Sequence, residues 1–136
     1  MKNLMRIILF LLMAFLAQTS RADAPVKCNT AGNQLELNAC ASNDFARADA
    51  ELNRTYQQLL KKMADEPVFI RKLRVAQNAW LVFRDADLDA RFSCAEDDIR
   101  QCWGSMYPMS FLARKTELTK ERIRQLQQIL KDGIGQ

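Results

Sequence analysis

The sequence predicts an all-α protein, a small antiparallel bundle of about three main helices stapled by disulfides. Three observations predict it. Apolar residues recur in steps of three and four through three separate blocks, the spacing that gathers them on one side of a helix. Only four glycines and three prolines interrupt 136 residues. No stretch of useful length alternates apolar and polar residues as a half-buried strand requires. A chain of this length forms one domain at most, and 49% hydrophobic with 26% charged residues suits a globular one.

The first segment is expected to leave the chain. Lys2 and Arg6 precede an apolar run from Ile7 to Ala17. As a helix this run spans only about 16 Å, well short of a bilayer core. A basic start, a short apolar middle and then small residues form the pattern of a secretory signal peptide. Cleavage is expected after Ala22, in the context Ser20-Arg21-Ala22. Cleavage after Ala24 is the alternative, but it would put Pro25 directly after the cut. Residues 1–22 then form the signal and residues 23–136 the domain. Localisation is periplasmic or secreted, with no stable membrane insertion once the signal is gone. The signal also carries Lys2, Arg6 and Arg21 and no acid, so the 20 basic residues fall by three against 16 acidic ones. The exported chain has a net charge of +1, and its balance gives no support to a nucleic-acid partner.

The helices follow in order. A short turn is expected around Asn33–Ala39. The first long helix covers Ser42 to Ala64, with Phe45, Ala48, Leu52, Tyr56, Leu59 and Met63 on one stripe and Ser42 or Asn43 as cap. Asp65-Glu66-Pro67 ends it and starts the second, with Asp65 as candidate cap and proline in the first turn. The second runs from Val68 into the nineties, its stripe being Phe69, Leu73, Ala76, Trp80, Phe83 and Leu88. The third covers about Met109 to Lys131, with Phe111, Leu118, Ile123, Leu126 and Leu130 inward, and frays at Gly133 and Gly135. The first two should pair antiparallel, with the third packed across them. Residues 94–108 form the one substantial irregular segment.

Two counts bound the chemistry. With no histidine, the chain has no Ser-His or Cys-His nucleophile and no His-based metal site. No nucleophile motif or phosphate loop takes their place, so neither an enzyme nor a cofactor is expected. Asp85, Asp87, Asp89 and Glu96 do fall at four positions of a calcium loop, but Ala90 stands where the loop needs glycine. No metal site is assigned. The four cysteines suit an oxidising compartment. Of three possible pairings, Cys28 with Cys40 and Cys94 with Cys102 is the simplest, because each pair is close in sequence.

Four fragments stand in register along the chain. They are Cys28 with Gln34-Leu35-Glu36-Leu37-Asn38-Ala39-Cys40-Ala41; Ala48-Asp49 with Leu52-Asn53 and Tyr56; Gln77 with Ala79-Trp80 and Phe83-Arg84-Asp85; and Gly104-Ser105 with Met109, Leu118-Thr119, Arg122 and Leu126. In that order and spacing the chain resembles the LprI-type domain, named after a mycobacterial lysozyme inhibitor. The resemblance runs from Cys28 to about Leu130. It implies a small exported helical domain that binds a protein partner, with lysozyme inhibition as the founding member's function. The alternative is a structural or regulatory envelope protein that binds an endogenous periplasmic partner. The chain departs from the family pattern at Leu88 and near Arg114, where relatives commonly carry cysteine. Cys94 and Cys102 would replace that second bridge in a shifted position.

The motif residues predict two features. Asp49 and Asn53 lie one turn apart, as do Trp80 and Arg84. Arg84 should reach Asp49 between helices while Arg122 approaches from the third. Together with Gln77, Asp85 and Thr119 this would form a polar network fixing helix register. The irregular segment offers Trp103, Met106, Tyr107 and Met109 as anchors for a protein partner.

Overall fold

The computed structural model describes residues 26–135. The predicted signal peptide and both cleavage positions lie outside them. The described residues form three long helices, α1 (Gln34–Lys62), α2 (Pro67–Arg91) and α4 (Tyr107–Asp132), with a short α3 (Ile99–Trp103) and a 3-10 turn (Gly104–Met106) before α4. No strand occurs among the described residues, and none of their helices is long and apolar enough to cross a membrane.

The predicted turn at Asn33–Ala39 and the first predicted helix are one continuous helix. Asn33, not Ser42 or Asn43, caps it. Its side chain accepts from the amides of Leu35 (3.0 Å) and Glu36 (3.2 Å), and the Glu36 carboxylate accepts from the Asn33 amide at 2.9 Å. This reciprocal box satisfies three amides that would otherwise lack partners at the helix start. Ser42 and Asn43 are then exposed helix interior. The expected cap Asp65 is likewise displaced. It lies in the turn, and Glu66 stands at the cap position of α2 without a side-chain bond. Pro67 follows in the first turn, where its missing N–H costs nothing.

α1 and α4 run side by side in the same direction. Gln34 meets the Met109 sulfur at one end, and Lys62 donates to the Leu130 carbonyl at the other. α2 runs opposite to both, as the pairs Gln77–Arg122 and Asp85–Lys115 require. The third long helix therefore lies along α1 rather than across an α1–α2 pair. The short α1–α2 turn makes α2 antiparallel, but the closest helical partner of α1 is the last helix of the chain.

The core has two apolar clusters. Leu52, Leu59, Met63, Leu73, Ile123 and Leu126 form one, flanked by Tyr56, Phe69 and Trp80. Leu88, Phe92 and Leu118 form the other, flanked by Tyr107 and Phe111. The α1 stripe is as the periodicity predicts, but that of α2 is turned by one residue. Its buried row is Leu73, Gln77, Arg84 and Leu88, with Trp80 half-buried, whereas Ala76 is exposed and Phe83 is 62% exposed. A reading based on apolarity alone places Phe83 inside. The helix instead buries the long stem and flat head of Arg84, which Trp80 can cover.

Candidate functional site

Two places gather the polar and aromatic residues that the sequence singles out. The first lies between the apolar clusters. On α2, Gln77, Trp80 and Arg84 fall between Leu73 and Leu88, and on α4, Thr119 and Arg122 fall between Leu118 and Ile123. Arg122 donates from Nε to Gln77 Oε1 at 3.0 Å. The guanidinium carbons of Arg84 and Arg122 lie 5.2 Å and 5.9 Å from the Trp80 ring centre, so the indole sits among two cations. Burial without a carboxylate partner lowers the Arg122 pKa.

Arg84 takes Asp85, its neighbour on α2, rather than Asp49. Its Nε donates to Asp85 Oδ1 at 2.9 Å, and its Nη2 lies 2.9 Å from the same oxygen. Lys115 of α4 joins at 3.5 Å. The Arg84 hydrogen bond holds the Asp85 carboxyl below the usual carboxylate range, opposed by partial burial and helped by the charges of Arg84 and Lys115. Arg84 Nη1 is buried with no acceptor.

The expected Asp49–Arg84 bridge is absent. Asp49 accepts from Asn53 Nδ2 at 3.3 Å on the α1 surface, a bond within one helix. Thr119 is fully buried, but its hydroxyl donates to the Lys115 carbonyl of its own helix at 2.8 Å. The network thus joins Gln77, Trp80, Arg84, Asp85 and Arg122, with Asp49 and Asn53 outside it and Thr119 packed beside it. Two carboxylates of the rejected calcium pattern are engaged with cations of α2 and α4, Asp85 as described and Asp87 with Arg114 at 3.9 Å, while Asp89 and Glu96 are exposed.

The second place is the end of the bundle around the irregular segment. The bridges are Cys28–Cys40 and Cys94–Cys102. The second closes a loop that contains α3. Asp98 caps α3, accepting from the Arg100 amide at 3.0 Å, and its carboxylate grips the Arg100 guanidinium. Gly104 follows at φ +61°, a conformation that L side chains rarely adopt, and redirects the chain into the 3-10 turn.

The four predicted anchor residues divide. Tyr107 and Met109 turn inward. Tyr107 packs against Phe92 and Phe111, with ring centres 5.9 Å and 5.5 Å apart, and Met109 receives Gln34. Trp103 and Met106 stay exposed, at 38% and 53%. Trp103 is nevertheless held: its ring lies 5.0 Å from Phe92, and its Nε1 donates to the Ser93 carbonyl at 3.4 Å. Phe92 is the hub of this end and touches Trp103, Tyr107 and Phe111. Sequence reasoning missed it, although it stands four residues after Leu88 and so continues the same row. A groove of about 410 Å³ opens beside it, lined by Arg91, Trp103, Ser110, Arg114 and Glu117. Two further acids stand at this end, Asp97, which sequence reasoning missed, and Glu96, which it weighed only as part of the calcium pattern. Glu96 and Asp97 are exposed in the stapled loop, and neither has an ion-pair partner among the described residues.

The family model for the lysozyme inhibitor LprI matches residues 26–126 of this chain. The chain belongs to the LprI family. The match takes in both disulfides, the network between the clusters and the stapled end. An uncharacterized protein of Rhizobium meliloti (strain 1021) is similar, 30% identical over 136 residues, covering 92% of this chain and 94% of that protein. No solved structure matches the chain. The second bridge of this member is Cys94–Cys102, the pairing that the sequence suggests.

Proposed function

We propose that this LprI-family protein is exported and inhibits lysozyme, acting as a binding protein and not as an enzyme. Its contact surface would be the end of the bundle closed by Cys94–Cys102. The observation that carries the reading is the pre-ordered loop. Trp103 is braced on Phe92 and still exposed, Met106 is exposed beside it in sequence, and Glu96 and Asp97 are exposed and unpaired on the same loop. A rigid aromatic anchor binds with little loss of side-chain freedom. Unpaired acids suit a basic target, and vertebrate lysozymes of the common type are basic. The net charge of the exported chain gives no long-range attraction to such a target, so the acids act locally, at the contact. The disulfides agree with an oxidising compartment.

The test is lysozyme turnover in the presence of the purified exported protein. Micromolar protein should slow turnover. Trp103→Ala should raise the inhibition constant about tenfold or more. Replacing Glu96 and Asp97 by lysine should weaken inhibition most at low salt. Unchanged turnover at micromolar excess would refute the reading. The near-neutral charge favours a second one, in which the same end binds an endogenous envelope protein. Retention of such a protein, and not lysozyme, from an envelope extract would support it, provided that Trp103→Ala abolishes the retention.

A further inference from the structure

The outward side of α2 is apolar along most of its length. Val68, Val75 and Val82 repeat at seven residues and are 54%, 66% and 72% exposed. Ala79 and Ala86 continue the row, exposed, and Phe83 flanks it. The opposite side of the same helix is the one buried against the bundle. A helix apolar on both sides is normally covered on both, and a seven-residue repeat is the spacing of a helix–helix seam.

The charges beside this row say what covers it. Arg71 and Asp89 are eighteen residues apart, five turns, and so project on the same flank. Arg74 and Asp85 are eleven apart, about three turns, and lie beside them. The flank is therefore basic in its first half and acidic in its second. A parallel copy would set this flank against the opposite one, which holds Lys72 and Phe83, and would leave its acids and most of its bases unpaired. An antiparallel copy related by a twofold axis sets Arg71 against the partner's Asp89 and Arg74 against the partner's Asp85. The midpoints of the two pairs fall at 80 and 79.5, half a residue apart, so one axis close to residue 80 serves both. The same axis places Val75 between Val82 and Ala86 of the partner subunit. Arg71, Arg74 and Asp89 have no ion pair among the described residues, and the Asp85 side chain is still 53% exposed beside Arg84.

We infer that the protein forms a twofold dimer through antiparallel α2 helices, with the apolar row as its seam and the split-charge flank as its register. Such an interface is self-complementary, as closed twofold symmetry demands. It lies on the outward side of α2, includes none of Trp103, Met106, Glu96 and Asp97, and does not depend on the lysozyme reading.

The experiment is sedimentation equilibrium of the protein purified from the periplasm, from about 1 to about 100 µM. Reversible dimerisation is expected. Val82→Lys should give a monomer with unchanged helical circular dichroism and thermal midpoint. Asp89→Arg should weaken dimerisation roughly tenfold, and combining it with Arg71→Asp should restore it. A chain that stays monomeric throughout, a dimer indifferent to Val82→Lys, or a double variant as weak as Asp89→Arg alone would each overturn the inference.

Discussion

Arg84 is almost fully buried yet leaves its Nη1 amino group without an acceptor. An orphaned buried donor costs about 1–3 kcal/mol, which the covered stem and the Trp80 contact must offset. Arg84→Met keeps most of the stem and removes the orphan, so the unfolding free energy in urea should stay within about 1 kcal/mol of the parent. Arg84→Ala leaves a void and should lose about 2–4 kcal/mol. Equal losses in the two variants would show that the charge, not the stem, matters. Asp85 supplies a second check. Its folded pKa is lowered, so its contribution is complete above the ordinary value of 3.8 and disappears as pH falls through the lower folded value. Asp85→Asn should flatten that part of the acid unfolding profile, and an unchanged profile would count against the pairing. At this scale, one-turn spacing correctly groups Trp80 with Arg84, and the motif fragments bring Gln77 and Arg122 into the set. It does not choose between two acids. Asp49 and Asp85 are both within conceivable reach of Arg84 from sequence, and Arg84 pairs with the neighbour on its own helix while Asp49 bonds Asn53 within α1.

At the scale of elements, the cap of α1 is the most local device in the chain. Asn33→Ala removes two bonds of the box and should cost about 1 kcal/mol by thermal or urea unfolding. Ser42→Ala, at the cap first expected, should change stability by only a few tenths. Gly32 is tied to the same device, since a Cβ there would meet the Glu36 carboxylate at 2.1 Å and push it off the Asn33 amide. Helix existence was readable from periodicity because each long helix carries enough apolar residues to declare a side. The α1 stripe was readable residue by residue, Ala48, Leu52, Leu59 and Met63 being buried. The α2 stripe was not, because this helix is apolar on two sides. Its true inward row includes Gln77 and Arg84, which an apolarity count discards, while the exposed side holds Phe83, which that count places inside, and the three valines.

At the scale of the molecule, the sequence shows that each helix needs a partner but not which partner it takes. The short α1–α2 turn suggested that these two form the principal pair. The principal pair is α1 with α4, joined at both ends by contacts from Gln34 to Met109 and from Lys62 to Leu130, about seventy residues apart in sequence. This has a kinetic consequence. A chain made from its N-terminus exposes the apolar side of α1 through the synthesis of α2, α3 and the stapled loop, and closes it only when α4 arrives. Loop closure over such a distance comes late and all at once, so folding waits for the end of the chain. A fragment ending at residue 106 should show little helical circular dichroism beside the full domain and expose binding surface to a hydrophobic dye. Adding the α4 peptide should restore both signals toward the native ones. The parallel α1–α4 pair thus keeps the chain open until its last helix is made, the state in which a polypeptide can still be threaded through a narrow pore.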